Sequence, residues 1–235
     1  MNTFKLLGAV GVVCAVWCTV LWAGDMPGYQ SKVKLVNQQR LAMSRVFEQA
    51  STAEEQSVIL NRAGDAIINA ITKQLTPHWY GTKWSFNGTS DKPREGSIAC
   101  GYFVTTILEH ADFKLDRFAL AQLPSEAMIR TLISREYIKR YSNHLPIDEF
   151  LQEVVSWGSG LYIVGLDDHT GFLLCVDNAV FFIHSSPDWP MKVVREPANQ
   201  NPRLINSGYR VLGKLSADEH LLAKWLGNRE FRSQP

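Results

Sequence analysis

The chain has almost no net charge: 24 lysines and arginines stand against 23 aspartates and glutamates in 235 residues. A balance this close to neutral argues against nucleic acid as the main partner. Cysteine is scarce, with four in all. Two of these, Cys14 and Cys18, lie in an apolar N-terminal run, which leaves Cys100 and Cys175 elsewhere. There is no repeat and no low-complexity tract. No closely spaced set of His, Cys, Asp and Glu reads as a metal motif, and no cofactor is expected.

The longest uncharged stretch follows Lys5 and runs from Leu6 to Gly24. It reads as a signal peptide or an N-terminal membrane anchor over residues 1–24, since about 20 apolar residues span a bilayer. Lys5 ahead of it favours a short N-terminus held inside, with the remainder exported. The expected location is the periplasm or cell envelope, with anchoring in the inner membrane if the segment stays uncleaved. In such an oxidising compartment Cys100 and Cys175 could form a disulfide.

Residues 25–76 read as a helical segment and 77–235 as the main domain. One helix is expected from about Ser31 to Ala50. A Ser51–Glu54 capping box opens the next, whose stripe runs from Val58 to Ile71 and which Pro77 ends. Trp79 to Ser90 is aromatic, glycine-containing and turn-rich. A further helix is expected from about Gly101 to Ala111, with Cys100 at its first turn. A thiol there meets free backbone N–H groups and the positive end of the helix dipole, and both favour thiolate. The competing reading is a small buried core cysteine. More helices are expected at about 125–133 and 147–158, and Ser134–Leu145 is polar and unassigned. Strands follow at 160–166, 169–176, 179–185, 192–195 and 209–214, then a helix at about 217–225. Helices first and an antiparallel meander after them is an α+β pattern.

Asp177-Asn178 is a two-residue hairpin signal. With that loop, Cys175 pairs with Val180, Gly171 falls opposite His184, and His169 falls opposite Ser186. His169 and His184 then share one face as diagonal neighbours, their backbones roughly 7–8 Å apart. Gly171 leaves room for an imidazole. Cys175 lies about 20 Å along the strand from His169, so a cysteine touching His169 cannot also bond Cys175. The constellation suits nucleophilic acyl transfer: Cys100 as nucleophile, His169 as base and acid, His184 as orienter, and the Cys100 N–H at the oxyanion.

Three blocks, taken in order, resemble the NlpC-type cell-wall cysteine peptidases of the papain-like superfamily. Gly81-Thr82-Lys83-Trp84-Ser85-Phe86-Asn87-Gly88-Thr89-Ser90 is similar to the aromatic run ahead of the nucleophile. Cys100-Gly101-Tyr102-Phe103-Val104 is similar to the Cys-Ser-Gly-Phe-Val run. His169-Thr170-Gly171-Phe172-Leu173 with Phe182-Ile183-His184-Ser185-Ser186 is similar to the two histidine strands. The chain departs from the pattern at Ala99, where Asp is usual, at Gly101, where Ser is usual, and at Trp84, where Tyr is common. The resemblance implies a papain-like fold, with the nucleophile at a helix start packed on an antiparallel sheet. It implies a hydrolase of amide bonds in peptidoglycan stem peptides, with Trp84 near the substrate. Two alternatives remain open: a silent or disulfide-braced envelope binding module, and a papain-like amidase or acyltransferase with another amide substrate. A metal site using His169, His184, Asp167 and Asp168 ranks third. Trp189 reads as core packing, or as a border of the cleft.

Overall fold

A computed structural model describes residues 28–142 and 145–232. The apolar run at 6–24, and the export and anchoring expected from it, lie outside these residues, as does His144. Among the described residues, no helix is long and apolar enough to cross a membrane.

The described part begins with α1 (Tyr29–Gln49) and α2 (Ala53–Asn69). The capping box that starts α2 is Thr52–Glu55, one residue later than expected. Thr52 accepts from the Glu55 N–H, and the Glu55 carboxylate accepts from the N–H groups of Thr52 and Ser51. The helical run does not stop at Pro77. A π-helical turn, Ala70–Leu75, passes into α3 (Thr76–Trp79). Pro77 falls in the first turn of α3, where a missing N–H is tolerated.

The aromatic run forms β1 (Lys83–Trp84), paired in parallel with β2 (Ser97–Ile98). Two residues later comes α4 (Cys100–His110). It is followed by α5 (Arg117–Ala121), α6 (Ser125–Leu132), β3 (Ile138–Ser142) and α7 (Ile147–Ser156). Then come β4 (Gly160–Gly165), β5 (Thr170–Val176), β6 (Ala179–Ser185) and β7 (Val193–Pro197). The chain continues through α8 (Pro202–Asn206), β8 (Tyr209–Lys214) and α9 (Glu219–Leu226).

This is an α+β molecule. Its main sheet has the order β3-β8-β4-β5-β6-β7, and all its pairs are antiparallel. The meander holds from β4 to β7. The last strand departs from it: β8 returns past the hairpins and inserts between β3 and β4.

Both faces of the sheet are covered. Phe172, Leu174 and Ile183 face a core that also takes in α2 and the Phe103, Val104 and Ile107 side of α4. Leu173, Cys175 and Phe182 face a second core under α7. Full burial of each such side chain stabilises by roughly 1.5–3 kcal/mol. Helix α4 is buried on most of its circumference, which explains its near-continuous apolar run. It lies so close to α5 that a Cβ at Gly101 would come within 2.7 Å of the Ala121 carbonyl oxygen. The unexpected glycine after Cys100 is therefore a packing requirement.

Candidate active site

Cys100 is the first residue of α4. Ala99 ahead of it is extended, and its carbonyl accepts the Phe103 N–H at 2.8 Å. The β2 end of this segment is tied to β6 by the Ser185 hydroxyl, which donates to the Ile98 carbonyl at 2.7 Å. The Cys100 sulfur is approached by the N–H groups of Thr170, Gly101 and Cys100 itself. These N–H groups favour thiolate, as expected of a helix start. Burial acts in the opposite direction and is the larger influence, with Asp168 adding to it, so the thiol is pushed up from its ordinary value. That direction runs against the thiolate expected of a helix start. The helix start supplies donors, but burial of the sulfur outweighs them.

The hairpin has the register expected from Asp177-Asn178, both of which adopt positive φ. Cys175 pairs with Val180 and Phe172 with Ile183. The next step of that register sets Gly171 against His184. A Cβ on Gly171 would lie 2.8 Å from the His184 Cβ and 2.6 Å from the Phe182 ring. His169, just ahead of β5, and His184 on β6 meet directly, with His169 Nε2 and His184 Nδ1 2.7 Å apart. Both are buried, at 3% and 0% exposure. The His184 ring stacks on Phe182 at 4.0 Å between centroids, which fixes its plane.

Two residues extend this pair that the sequence did not single out. His184 Nε2 lies 2.8 Å from Glu196 Oε1 on β7. Asn201, the N-cap of α8, accepts the Leu204 N–H through Oδ1 and donates from Nδ2 to the same Glu196 oxygen at 2.8 Å. Strand β7 was expected to end at Arg195. Carried two residues further, its alternation puts Glu196 opposite Phe182 and on the His184 face. Asn201-Pro202 is itself a helix-start signal.

Burial holds His169 well below the ordinary histidine range, and the His184 and Arg203 charges act the same way. His184 is also lowered by burial, against the upward pull of Glu196 and Asp188. Glu196 is held below its usual value by its bond from His184. Burial thus favours the neutral form of both imidazoles, beside a carboxylate. His169 Nδ1 is buried and has no hydrogen-bond partner among the described residues.

Cys100 and His169 line one cavity of about 210 Å³, together with Thr170, Asp168 and Met128. His184 lies behind His169 and is not part of the lining. Trp84 is not part of it either. Trp84 is half-buried, and its backbone N–H donates to the Met191 carbonyl at 2.8 Å. Trp189 is 92% exposed, so the core-packing role read for it is corrected. Cys100 and Cys175 are both free thiols. The carboxylates of the metal alternative are engaged elsewhere: Asp167 by Ser207 and Gly208, Asp168 by Arg203 at 2.6 Å.

Compared with protein-family models, curated proteins and solved structures, the chain matches none.

Proposed function

We propose that the protein is an exported thiol hydrolase of the papain-like kind, cleaving an amide bond in peptidoglycan stem peptides with Cys100, His169 and His184. One observation carries the reading. Cys100 at a helix start and His169 line one cavity, and the His169 imidazole, whose Nδ1 has no hydrogen-bond partner among the described residues, Cys100 included, is held at 2.7 Å through Nε2 by a second histidine. The peptidoglycan substrate rests on the resemblance of the Gly81, Cys100, His169 and Phe182 blocks.

In this reading the resting pair is neutral, so the first step is general-base catalysis. His169 Nδ1 takes the Cys100 proton as the sulfur bonds to the amide carbon. The backbone N–H of Cys100 stabilises the resulting oxyanion. Collapse breaks the C–N bond, and His169 gives its proton to the leaving amine. A thioester remains on Cys100. Water, deprotonated by the same Nδ1, adds to it. The C–S bond breaks, the acid is released, and the thiol recovers its proton.

The test is incubation of the full chain with purified muropeptides, with products identified by mass spectrometry. One cleaved amide is expected. Cys100→Ala abolishes the cleavage without unfolding the chain, His169→Ala nearly does so, and His184→Ala leaves more residual activity, because an orienter acts indirectly. Cleavage that survives Cys100→Ala refutes the reading.

A further inference from the structure

A line of hydrogen bonds runs from the cavity to the sheet edge: His169 Nε2 to His184 Nδ1, and His184 Nε2 to Glu196 Oε1. Each contact holds one proton, and the far end decides where every proton sits. The Asn201 amide has a fixed orientation, because its oxygen must accept the Leu204 N–H. Its Nδ2 therefore donates to Glu196 Oε1, which acts as acceptor to both Asn201 and His184. A carboxylate oxygen can only accept, so His184 carries its proton on Nε2. In a neutral His184, Nδ1 is then an acceptor. The proton between the rings must belong to His169 Nε2, and His169 Nδ1 is left as a lone pair.

We propose that Glu196, held by Asn201, is a positioning residue that fixes both imidazoles as their Nε2–H tautomers, so that His169 keeps an unprotonated Nδ1 for the cavity it shares with Cys100. The role rests on the thiol-hydrolase reading above, but the tautomer assignment can be measured without any substrate. Asn201 Nδ2 also sits 3.4 Å from His184 Nε2. Without the Glu196 carboxylate, that donor has His184 Nε2 as its nearest acceptor. His184 then moves its proton to Nδ1 and donates it to His169 Nε2. His169 in turn becomes the Nδ1–H form, which cannot accept a proton from the thiol. A single side chain on β7 thus sets the protonation of a base two contacts away. Other charged groups act on His184 as well: Arg203 of α8 lowers its pKa and Asp188 raises it. Neither bonds its ring among the described residues, so neither dictates which nitrogen carries the proton.

The experiment labels the full chain with ¹⁵N-histidine and reads the ring nitrogens by long-range ¹H–¹⁵N correlation at neutral pH. His169 and His184 are expected as Nε2–H tautomers in the parent protein. In Glu196→Val, whose β-branched side chain suits the strand, both are expected to switch to Nδ1–H. Glu196→Gln retains an acceptor oxygen of the same reach and should keep the parent tautomers. Iodoacetamide labelling of Cys100 near neutral pH should slow by roughly tenfold or more in Glu196→Val and stay within about twofold in Glu196→Gln. Parent tautomers in Glu196→Val, or Nδ1–H tautomers in Glu196→Gln, overturn the proposal. Cleavage by Cys100→Ala protein would refute the hydrolase reading alone and leave the tautomer result standing.

Discussion

At the scale of the residue, Cys100 is governed by two opposed influences, and the stronger is not the one a helix start suggests. Three N–H groups converge on the sulfur, yet burial raises its pKa. Alkylation of Cys100 in the parent protein should therefore climb with pH through the ordinary thiol range and beyond it. Iodoacetamide rates followed by peptide mass spectrometry test this, and a plateau already reached below neutrality would contradict it. Gly171 is the second residue on which the site depends. Gly171→Ala puts a methyl 2.6 Å from the Phe182 ring, 2.8 Å from the His184 Cβ and 2.9 Å from the Ile183 carbonyl oxygen. Overpacking of this kind should destabilise by roughly 1–3 kcal/mol in urea unfolding, and the forced shift of His184 should lower activity as well. The importance of Gly171 was legible in the sequence, because strand parity and a two-residue loop fix what faces what. Glu196 was not. A carboxylate in Val193-Val194-Arg195-Glu196-Pro197 carries no mark of its partner, and Glu196 and Pro197 lie past the strand end expected at Arg195.

Among the elements, those with a strong apolar period or a turn signal matched what the sequence suggested. Helices α1, α6 and α7 and the hairpin of β5 and β6 are where periodicity and turn chemistry put them. Strand β3 was missed because Ile138-Lys139-Arg140-Tyr141-Ser142 is an edge strand, and charged side chains on an edge look like loop. Helix α8 was missed because five residues are too few to show a period. The α2 cap was displaced by one residue because Ser51 and Thr52 offer equivalent side chains, and only the backbone decides which is extended. Thr52→Ala should cost about 1 kcal/mol in urea unfolding. It should leave Cys100 labelling unchanged, since among the described residues the hydrogen bonds of Thr52 run to Glu55 and Gln56 alone.

For the whole molecule, the buried cluster of Tyr29, Trp79 and His110 ties α1 to the end of α4. The Trp79 indole N–H donates to the Tyr29 oxygen at 2.8 Å, and the Tyr29 hydroxyl lies 2.7 Å from His110 Nδ1. With His110 neutral and its Nδ1 unprotonated, the Tyr29 O–H is the donor in that contact. Burial, with the Arg117 charge adding to it, lowers its pKa from 6.5 to about 4. The folded-state value is depressed, so its contribution is complete above the unfolded value and is lost as pH falls through the folded one. Stability should drop by up to about 3 kcal/mol across that window. Urea midpoints taken from neutral to acid pH should show the decline, and His110→Gln, which keeps an acceptor for Tyr29, should flatten part of it. The sheet order has a consequence for synthesis. The hairpins from β4 to β7 can zip as soon as they leave the ribosome. Strand β3 is made before all of them, yet its one neighbour in the sheet among the described residues is β8, some seventy residues downstream. The nascent chain must therefore carry an unmated strand until β8 has been made, and the sheet closes from that later strand inward.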